Sequence, residues 1–256
     1  MDNHTVPYTT LQHLRIVMVE TSHPGNIGSA ARAMKTMGIK DLRLVTPRKP
    51  YSQETWALAS GANDIIEQAK IVPTLQDAVA DCQIVIGASA RSERTLQWPQ
   101  MDARECGTFV AAHLPQQQKI ALVFGRERTG LTNEELDHCN TLVHIPMAFD
   151  FLSLNIAMAI QVLGYECATA VRLATPDQSV TADPEEALAS AEALEGFYTH
   201  LEQLMIDTRF LDPENPRLLM RRMRRLFGRA GVTVSEMNIL RGMLAAFAGR
   251  KFRERS

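Results

Sequence analysis

Short apolar runs alternate with helical patterns between residues 14 and 174, and this alternation restricts the fold more than any other feature of the sequence. Strands of a parallel sheet are buried on both faces, so they read as continuous runs of Val, Ile and Leu with helices between them. The alternation therefore predicts an α/β fold, in which a parallel sheet carries helices on both faces. The predicted strands cover residues 14–20, 42–45, 83–88, 120–124 and 142–145.

Helical patterns fill the intervals between these strands. Residues 26–37 repeat Ala and Met at helical spacing, residues 75–80 have a short helical pattern, and Asp102 begins a capping box with Glu105. Residues 155–173 are apolar nearly all round. A helix of that kind is either central to the fold or packed against a second subunit.

The chain beyond residue 174 is organised differently. Thr, Pro, Asp, Gln and Ser cluster there without periodicity, which is typical of a linker. Three helical patterns follow, over residues 184–206, from Pro216 onward, and after Thr233 as an N-cap. We therefore predict a first domain of residues 1–174, a linker of residues 175–184 and a small all-helical extension of residues 185–256.

Composition limits the class of protein. Hydrophobic residues make up 45% of the chain and charged residues 22%, which is ordinary for a globular protein and unlike a disordered or fibrous one. The four cysteines lie far apart without a Cys-x-x-Cys pair, so we expect buried, reduced thiols and no zinc site. The N-terminus lacks the basic and apolar regions of a signal peptide, and we expect a cytoplasmic protein without membrane segments.

The net charge of −2 is unevenly distributed along the chain. Residues 208–256 contain 12 Lys and Arg and 4 Asp and Glu, which leaves a net charge of +8. On the helix that begins at Pro216, the arginines share one face and the apolar residues lie opposite. Such a face is often only solvated, but six arginines without a lysine favour phosphate binding. The candidate phosphate-binding residues are Arg217, Arg221, Arg224 and Arg225.

Four loops at the predicted strand ends carry small or polar residues, namely 23–32, 86–91, 122–131 and 151–155. Ligands of open α/β sheets bind at the carboxyl ends of the strands, so we expect these loops to converge on one concave site. Taken singly, each loop also fits an ordinary surface turn. The first loop has the spacing Gly-x-x-Gly, and residues 42–47 contain no carboxylate. A nucleotide-dependent oxidoreductase, which needs Gly-x-Gly-x-x-Gly and an acidic residue, is therefore disfavoured.

In order and spacing, the four loops resemble the SPOUT superfamily of S-adenosylmethionine (AdoMet)-dependent RNA methyltransferases, in its ribose 2′-O branch. The matching motifs are Asn26-x-Gly-Ser-x-Ala-Arg32, Ser89-Ala-Arg91, Phe124-Gly-Arg-Glu-x-x-Gly-Leu131 and Ser153-Leu-Asn155. Over the whole chain, the likeness is strongest to a bacterial tRNA methyltransferase of this branch. That enzyme methylates the ribose of the nucleoside, C or U, at position 32 of the anticodon loop.

The resemblance implies a trefoil knot in the first domain and a homodimer that builds its active site from both subunits. It also implies that Arg32 and Asn26 are the catalytic pair, that no metal is needed, and that the arginine face of the extension binds tRNA. The residues that it implies for AdoMet binding are Ala88, Ser89, Ala90, Gly125, Ile145, Leu152, Ser153 and Leu154.

Methyl transfer to a ribose hydroxyl requires a proton acceptor, and Arg32 is an unsuitable one because its guanidinium stays protonated at neutral pH. We expect Arg32 to bind the target phosphate and to stabilise the developing alkoxide instead. Glu20, Glu127 or a phosphate-bound water remain candidates for the proton acceptor. The main alternative function is a non-catalytic RNA-binding module of the same fold. It predicts loss of Arg32, Asn26 or the Ser-Leu-Asn loop, and all are present.

Overall fold

The computed structural model describes residues 11–49, 51–89, 99–148, 154–174 and 187–249. Seven parallel strands form one sheet in the order β3-β2-β1-β6-β4-β7-β5. The fold class predicted from the alternation is confirmed. The strands are β1 Leu14–Val19, β2 Asp41–Val45, β3 Lys70–Val72, β4 Ile84–Ala88, β5 Gln100–Asp102, β6 Ile120–Phe124 and β7 Thr141–His144.

The described ranges contain ten α-helices. In the first domain these are α1 Pro24–Thr36, α2 Gln53–Ala59, α3 Asn63–Gln68, α4 Leu75–Val79, α5 Ala103–His113, α6 Asn133–Leu136 and α7 Ile156–Leu173. The extension contains α8 Ala191–Asp207, α9 Leu219–Ala230 and α10 Val234–Phe247. The predicted trefoil knot depends on how the chain runs through residues 90–98 and 149–153, which lie outside the described ranges, and it stays a prediction.

Helices cover both faces of the sheet, as the sequence predicted. All six residues of β1 are buried, and their side chains alternate between the two faces. Ile16 and Met18 pack into the larger core, with α1, α5 and α7. Val17 and Val19 pack into a second core on the other face, with α4 and α6. Burial on both faces explains why this strand is apolar throughout.

Two strands and three helices of the first domain have no counterpart among the sequence predictions. Strands β3 and β5 have three residues each and are partly exposed, so neither contains an apolar run. Helices α2, α3 and α6 have seven, six and four residues, too few for a clear amphipathic period. A capping box of Ser52 with Thr55 begins α2, and this pair lacks the usual acidic partner.

Helix α7 is central to the first domain. Asn155 caps it by accepting a hydrogen bond from Ala157 N at 2.9 Å. Its length and apolar composition would also suit a membrane span, but 44% of it is buried in the interior, against α1 and α5. Three apolar side chains on its other side are well exposed, Met158 at 60%, Tyr165 at 51% and Leu173 at 76%.

The three helices of the extension surround their own small core, which includes Phe197, Tyr198 and Met237. Two helix starts differ from the predictions. Helix α8 begins at Ala191, after Ser190 as N-cap, and not at residue 184. Helix α9 begins at Leu219 and not at Pro216, because Arg217 has a φ of +50° and therefore cannot continue a right-handed helix. The predicted linker of residues 175–184 lies outside the described ranges.

The extension docks on the edge of the sheet where the strands begin. The backbone N–H groups of Ala191 and Glu192, in the first turn of α8, donate to the carbonyls of Cys82 and Ala80 at 2.8 and 3.2 Å. These carbonyls precede β4, and they satisfy donors that the first turn of a helix cannot pair internally. The contact fixes α8 to the first domain by its backbone.

Close packing of α5 against α7 leads to a stability prediction. A Cβ atom at Gly107 would lie 2.6 Å from the carbonyl oxygen of Glu166 in α7, so Gly107→Ala must push the two helices apart. We expect a loss of about 1–3 kcal/mol in the free energy of unfolding, measured with urea. Gly196→Ala in α8 is the matched control, because nothing lies within 4 Å of its added Cβ. The control should gain about 0.5–1 kcal/mol; equal stability of both variants would contradict the packing.

Candidate active site

The carboxyl ends of three neighbouring strands bring predicted site residues together. Ala88 ends β4 and Ser89 follows it, Gly125 follows β6, and Ile145 follows β7. Strand β4 lies between β6 and β7, and Ser89 N donates to Val143 O of β7 at 3.0 Å. Four of the eight residues implied for AdoMet thus share one edge of the sheet. Leu154 is 36% exposed just before α7, and Ala90, Leu152 and Ser153 lie outside the described ranges.

Gly125 lies where the loop after β6 folds back on the strand end. A Cβ atom at this position would lie 2.2 Å from the carbonyl carbon of Gly130 and 2.3 Å from Leu131 N, so only glycine fits. Gly130 itself has a φ of +67°, and Arg126 and Gly130 exchange two backbone hydrogen bonds. The tight loop leaves small residues and backbone at the edge of the sheet, which suits the close approach of a ligand such as AdoMet.

Glu127 joins this loop to the turn between β1 and α1. Its carboxylate accepts hydrogen bonds from Ser22 N at 3.1 Å, Ser22 Oγ at 2.9 Å, His23 N at 3.3 Å and Asn26 Nδ2 at 3.0 Å. Partial burial raises the pKa of Glu127, but a hydrogen bond from its own backbone N–H, together with those from Asn26, Ser22 and His23, outweighs this effect and holds the pKa below its ordinary value. A carboxylate with a lowered pKa is a weak base, so Glu127 anchors the turn and is poorly suited to accept a proton.

Both the nitrogen and the oxygen of the Asn26 side-chain amide form hydrogen bonds. Its Nδ2 donates to Glu127, and its Oδ1 accepts from Asn155 Nδ2 at 3.0 Å. Because Asn155 also caps α7, one chain of hydrogen bonds connects the loop after β6, the start of α1 and the start of α7. The side chains of three sequence motifs therefore meet at Asn26. The motifs themselves were recognised from the sequence, but this hydrogen-bonded chain was not predicted.

Glu20 is paired with a different residue. Its carboxylate forms an ion pair with Arg126, whose Nε lies 3.0 Å from Glu20 Oε2, and Arg126 also binds Glu135 at 2.9 Å. The hydrogen bond from Arg126 lowers the pKa of Glu20, and the charge of Arg48 contributes in the same direction. Glu20 is thus also a weak base. Neither carboxylate considered from the sequence is a good proton acceptor.

Arg32 lies apart from the residues at the strand ends. It is exposed on α1, six residues beyond Asn26, which corresponds to about 9 Å along the helix axis. Within the described residues it has no hydrogen-bond or ion-pair partner. A single chain therefore leaves this guanidinium available in solvent and does not bring it into contact with Ala88, Gly125 or Ile145.

The arginine face of α9 is divided between ion pairs and solvent. Arg221 Nε lies 2.8 Å from Asp137 Oδ2 of the first domain. Arg224 forms an ion pair with Glu195 of α8 and lies over the ring of Tyr198, 4.6 Å from its centroid. Arg217 is exposed before the helix, and Arg225 is partly buried. Two of the four candidate phosphate-binding side chains thus hold α9 in place.

Comparison with known proteins identifies the family. The sequence profile of the SpoU rRNA methylase family matches residues 13–165, and that of the TrmJ tRNA methyltransferase C-terminal domain matches residues 192–256. The chain belongs to the SpoU methylase family. As a SpoU methylase it is an enzyme that transfers methyl groups, and the resemblance drawn from the four loops is confirmed.

Relatives of this SpoU methylase match it over nearly their whole length. The tRNA (cytidine/uridine/adenosine-2′-O-)-methyltransferase TrmJ of Pseudomonas aeruginosa is 49% identical over 241 residues, which cover 91% of this chain and 93% of the relative. The tRNA (cytidine/uridine-2′-O-)-methyltransferase TrmJ of Klebsiella pneumoniae is 50% identical over 237 residues, 92% of this chain and 96% of the relative. The crystal structure of TrmJ from Z. mobilis ZM4 is 30% identical in sequence with a TM-score of 0.78, and the match covers 91% of this chain and 98% of that one.

Metal ligands do not cluster in the part of this SpoU methylase that the structure describes. No group of three or more His, Cys, Asp or Glu side chains there is arranged to hold a metal ion. The four cysteines are buried, as predicted from their spacing.

The position of Glu127 predicts a pH-dependent effect of Glu127→Gln. A glutamine retains one acceptor oxygen and turns an N–H₂ group toward donors, so we expect a loss of about 1–3 kcal/mol in stability at pH 7. Because the folded pKa of Glu127 is lowered, its stabilisation is present above the ordinary pKa of glutamate and is lost as the pH falls through the lowered value.

The free energies of unfolding of Glu127→Gln and the unaltered protein should therefore converge in acid. Urea titrations of both proteins between pH 7 and pH 3 measure this difference. A gap that stays constant over the whole range would contradict the role of the ionised carboxylate. Glu134→Gln on α6, whose side chain is exposed, is the control and should leave stability unchanged at every pH.

Proposed function

We propose that this SpoU methylase transfers a methyl group from AdoMet to the ribose 2′-hydroxyl of C or U at position 32 in the anticodon loop of tRNA. The observation that carries the proposal is the chain of hydrogen bonds through Glu127, Asn26 and Asn155. It fixes Asn26 beside the strand-end loops that would hold the cofactor. The names of the relatives from Pseudomonas aeruginosa and Klebsiella pneumoniae support tRNA as substrate and the 2′-oxygen as the site of methylation.

The edge formed by β6, β4 and β7 suits AdoMet. Ala88 and Ile145 offer partly buried apolar surface for the adenosine, and Gly125 allows the cofactor to approach the backbone. We assign Ser89, Ala90, Leu152, Ser153 and Leu154 to the same cofactor site, on the resemblance. When bound, AdoMet supplies a methyl group on a positively charged sulfonium.

Arg32 is assigned to the substrate. A fixed guanidinium beside the target ribose holds the adjacent phosphate and stabilises negative charge that develops on the attacking oxygen. Its exposure and its distance from Asn26 along α1 support an active site completed by a second subunit. The exposed side chains of Met158, Tyr165 and Leu173 on α7 support the same homodimer, because apolar surface of this extent needs a partner.

A water molecule held by the substrate phosphate is the proton acceptor that fits best. Glu20 and Glu127 are both engaged in hydrogen bonds that lower the pKa of each carboxyl group. The guanidinium of Arg32 cannot accept a proton at neutral pH. The phosphate-bound water is therefore what remains of the three candidates considered from the sequence.

The extension is proposed to capture tRNA through the arginines of α9 that face solvent. Arg217 is exposed, as are Arg222 and Arg229 on the helix itself. Arg221 and Arg224 are proposed to contribute indirectly, by fixing α9 so that its free arginines point outward. Arg225 is assigned to the same surface. The net charge of +8 over residues 208–256 attracts the phosphate backbone.

Methylation of unmodified tRNA with radiolabelled AdoMet tests the proposed function. The modified nucleoside is located by digestion and mass spectrometry, and we expect 2′-O-methylation of C32 or U32. Binding of tRNA without methyl transfer would support a non-catalytic RNA-binding module instead. Methylation of another nucleoside would retain the chemistry and refute the target position.

Arg32→Ala should separate catalysis from cofactor binding. We expect AdoMet affinity, measured by calorimetry, to be unchanged, because Arg32 lies away from the strand ends. The rate of methyl transfer should fall by about 100-fold or more, as when a donor to a developing oxyanion is removed. Arg32→Lys should recover only part of the rate, since a point charge replaces the planar fork. Near-normal turnover of Arg32→Ala would refute this role.

Arg217→Ala should weaken tRNA binding, whereas Arg224→Ala should weaken the stability of the fold. Loss of a phosphate contact by Arg217→Ala should reduce the slope of log K for tRNA against log salt by about 0.7–0.9, with stability unchanged. Burial raises the pKa of Glu195, but His138 and Arg224 hold it at about 2. Arg224→Ala removes the main partner of this carboxylate, so the stability of the variant should fall by about 3 kcal/mol. Equal salt slopes for Arg217→Ala and the unaltered protein would exclude Arg217 from the tRNA contact.

A further inference from the structure

An aromatic pair lies on the surface of the first domain, next to the loop that follows β2. The ring centroids of Tyr51 and Trp56 are 5.9 Å apart at an interplanar angle of 34°, and each residue is 38% exposed. Neither ring contributes to the buried cores, and the site described above does not use them. Partial burial holds both rings in place while one surface of the pair remains open to solvent.

The pair is fixed rigidly against α1, the helix that carries Asn26 and Arg32. Thr55 Oγ1 donates to Pro24 O at 3.1 Å, and a Cβ at Gly28 would lie 2.1 Å from Thr55 O, so α1 and α2 touch through their backbones. On the other side, Tyr51 Oη donates to Ile66 O at 3.5 Å. A movement of the aromatic pair relative to α1 is therefore restricted.

Two cations lie between the aromatic pair and the strand ends. Arg48 and Lys49 follow β2 and are exposed, and Arg48 N donates to Thr21 O at 3.1 Å, in the turn that Glu127 anchors. Lys49 has no ion-pair partner within the described ranges. Arg48 lies near Glu20, but that carboxylate is already paired with Arg126. Positive charge and aromatic surface thus follow β2 within a few residues of each other, at the edge of the sheet that holds the site.

We propose that Trp56 and Tyr51 form a stacking platform for an unpaired base of the substrate RNA, with Arg48 and Lys49 binding the phosphates beside that base. This inference rests on the proposed function, because the platform would extend the same active site with a surface that binds the RNA loop around the target nucleoside. Single-stranded RNA is bound elsewhere by this combination of aromatic rings and neighbouring cations.

Charge favours RNA over a second protein chain as the occupant. Arg48 and Lys49 precede Tyr51 by three and two residues, whereas the acidic side chain of Glu54 lies on the other side of α2, toward Gly25. At 100° per residue, Glu54 and Trp56 are separated by about 200° around the helix. A stacking platform also does not depend on the identity of the base, since every base has a flat π face. Such tolerance suits an enzyme that accepts more than one nucleoside.

Fluorescence of Trp56 tests the proposal directly. The chain has two tryptophans, so Trp98→Phe leaves Trp56 as the only one. We expect an anticodon stem-loop RNA to quench its emission on titration, and a DNA duplex at equal concentration to have little effect. In the otherwise unaltered chain, Trp56→Ala should raise the Kd of labelled stem-loop about tenfold by fluorescence anisotropy, and Trp56→Phe should remain close to the unaltered value.

Matched cation variants separate the phosphate contacts from general charge. Lys49→Ala should weaken stem-loop binding about threefold and reduce the salt slope by about 0.7. Lys40→Ala removes an equal charge just before β2, at the opposite edge of the sheet, and should leave both quantities unchanged. AdoMet affinity and the far-ultraviolet circular dichroism of all variants serve as controls for folding.

Three results would overturn the inference. Unchanged Trp56 emission on RNA binding would exclude stacking, as would a Trp56→Ala variant that binds the stem-loop as tightly as the unaltered protein. Conversion of Trp56→Ala to a smaller species in size-exclusion chromatography would identify the patch as a contact between subunits. If the unaltered protein does not methylate tRNA at all, the proposed function fails, and this outcome is distinct from a protein that methylates tRNA but does not use Trp56.

Discussion

The geometry of the candidate site depends on the hydrogen bonds that the carboxylate of Glu127 accepts. The strands of the sheet are joined by backbone hydrogen bonds, whereas the loop after β6 and the turn after β1 are joined to each other by side chains. Glu127 supplies most of this connection by accepting four donors from Ser22, His23 and Asn26 in the turn that follows β1. Because the acceptor is ionised, these hydrogen bonds are stronger than neutral ones. The sheet therefore provides the positions of the loops, and this carboxylate provides their mutual orientation.

The sequence predicted the parts of the fold whose patterns are long or repeated. The five long strands and helix α7 were recognisable because burial imposes a continuous apolar composition, and the predicted bounds of β6 agree with the structure. Strands β3 and β5 were missed because a three-residue strand at the side of a sheet needs no apolar run. The start of α9 was misplaced because the left-handed backbone at Arg217 has no signature in the sequence.

The candidate site was predictable as a set of motifs but not as a set of interactions. The spacing of Asn26, Gly125 and Asn155 indicated where a site would lie, since strand ends meet at one edge of a parallel sheet. The sequence could not show that Glu127 accepts hydrogen bonds from four donors. Glu127 was therefore a reasonable candidate for the proton acceptor. Likewise, helical periodicity placed Arg221 and Arg224 on a solvent face. Their carboxylate partners, Asp137 and Glu195, are distant in sequence and become visible only when α6 and α8 pack beside α9.

The place where the extension docks has a consequence for the size of the substrate. Its contacts to Ala80, Cys82 and Asp137 lie where the strands begin, whereas the candidate active site lies where they end. A strand such as β4 separates these two edges by about 15 Å. An RNA that contacts both edges at once must be long enough to bridge this distance. The length of the strands thus sets the smallest span of an RNA that could contact the extension, as proposed, and the candidate site at the same time.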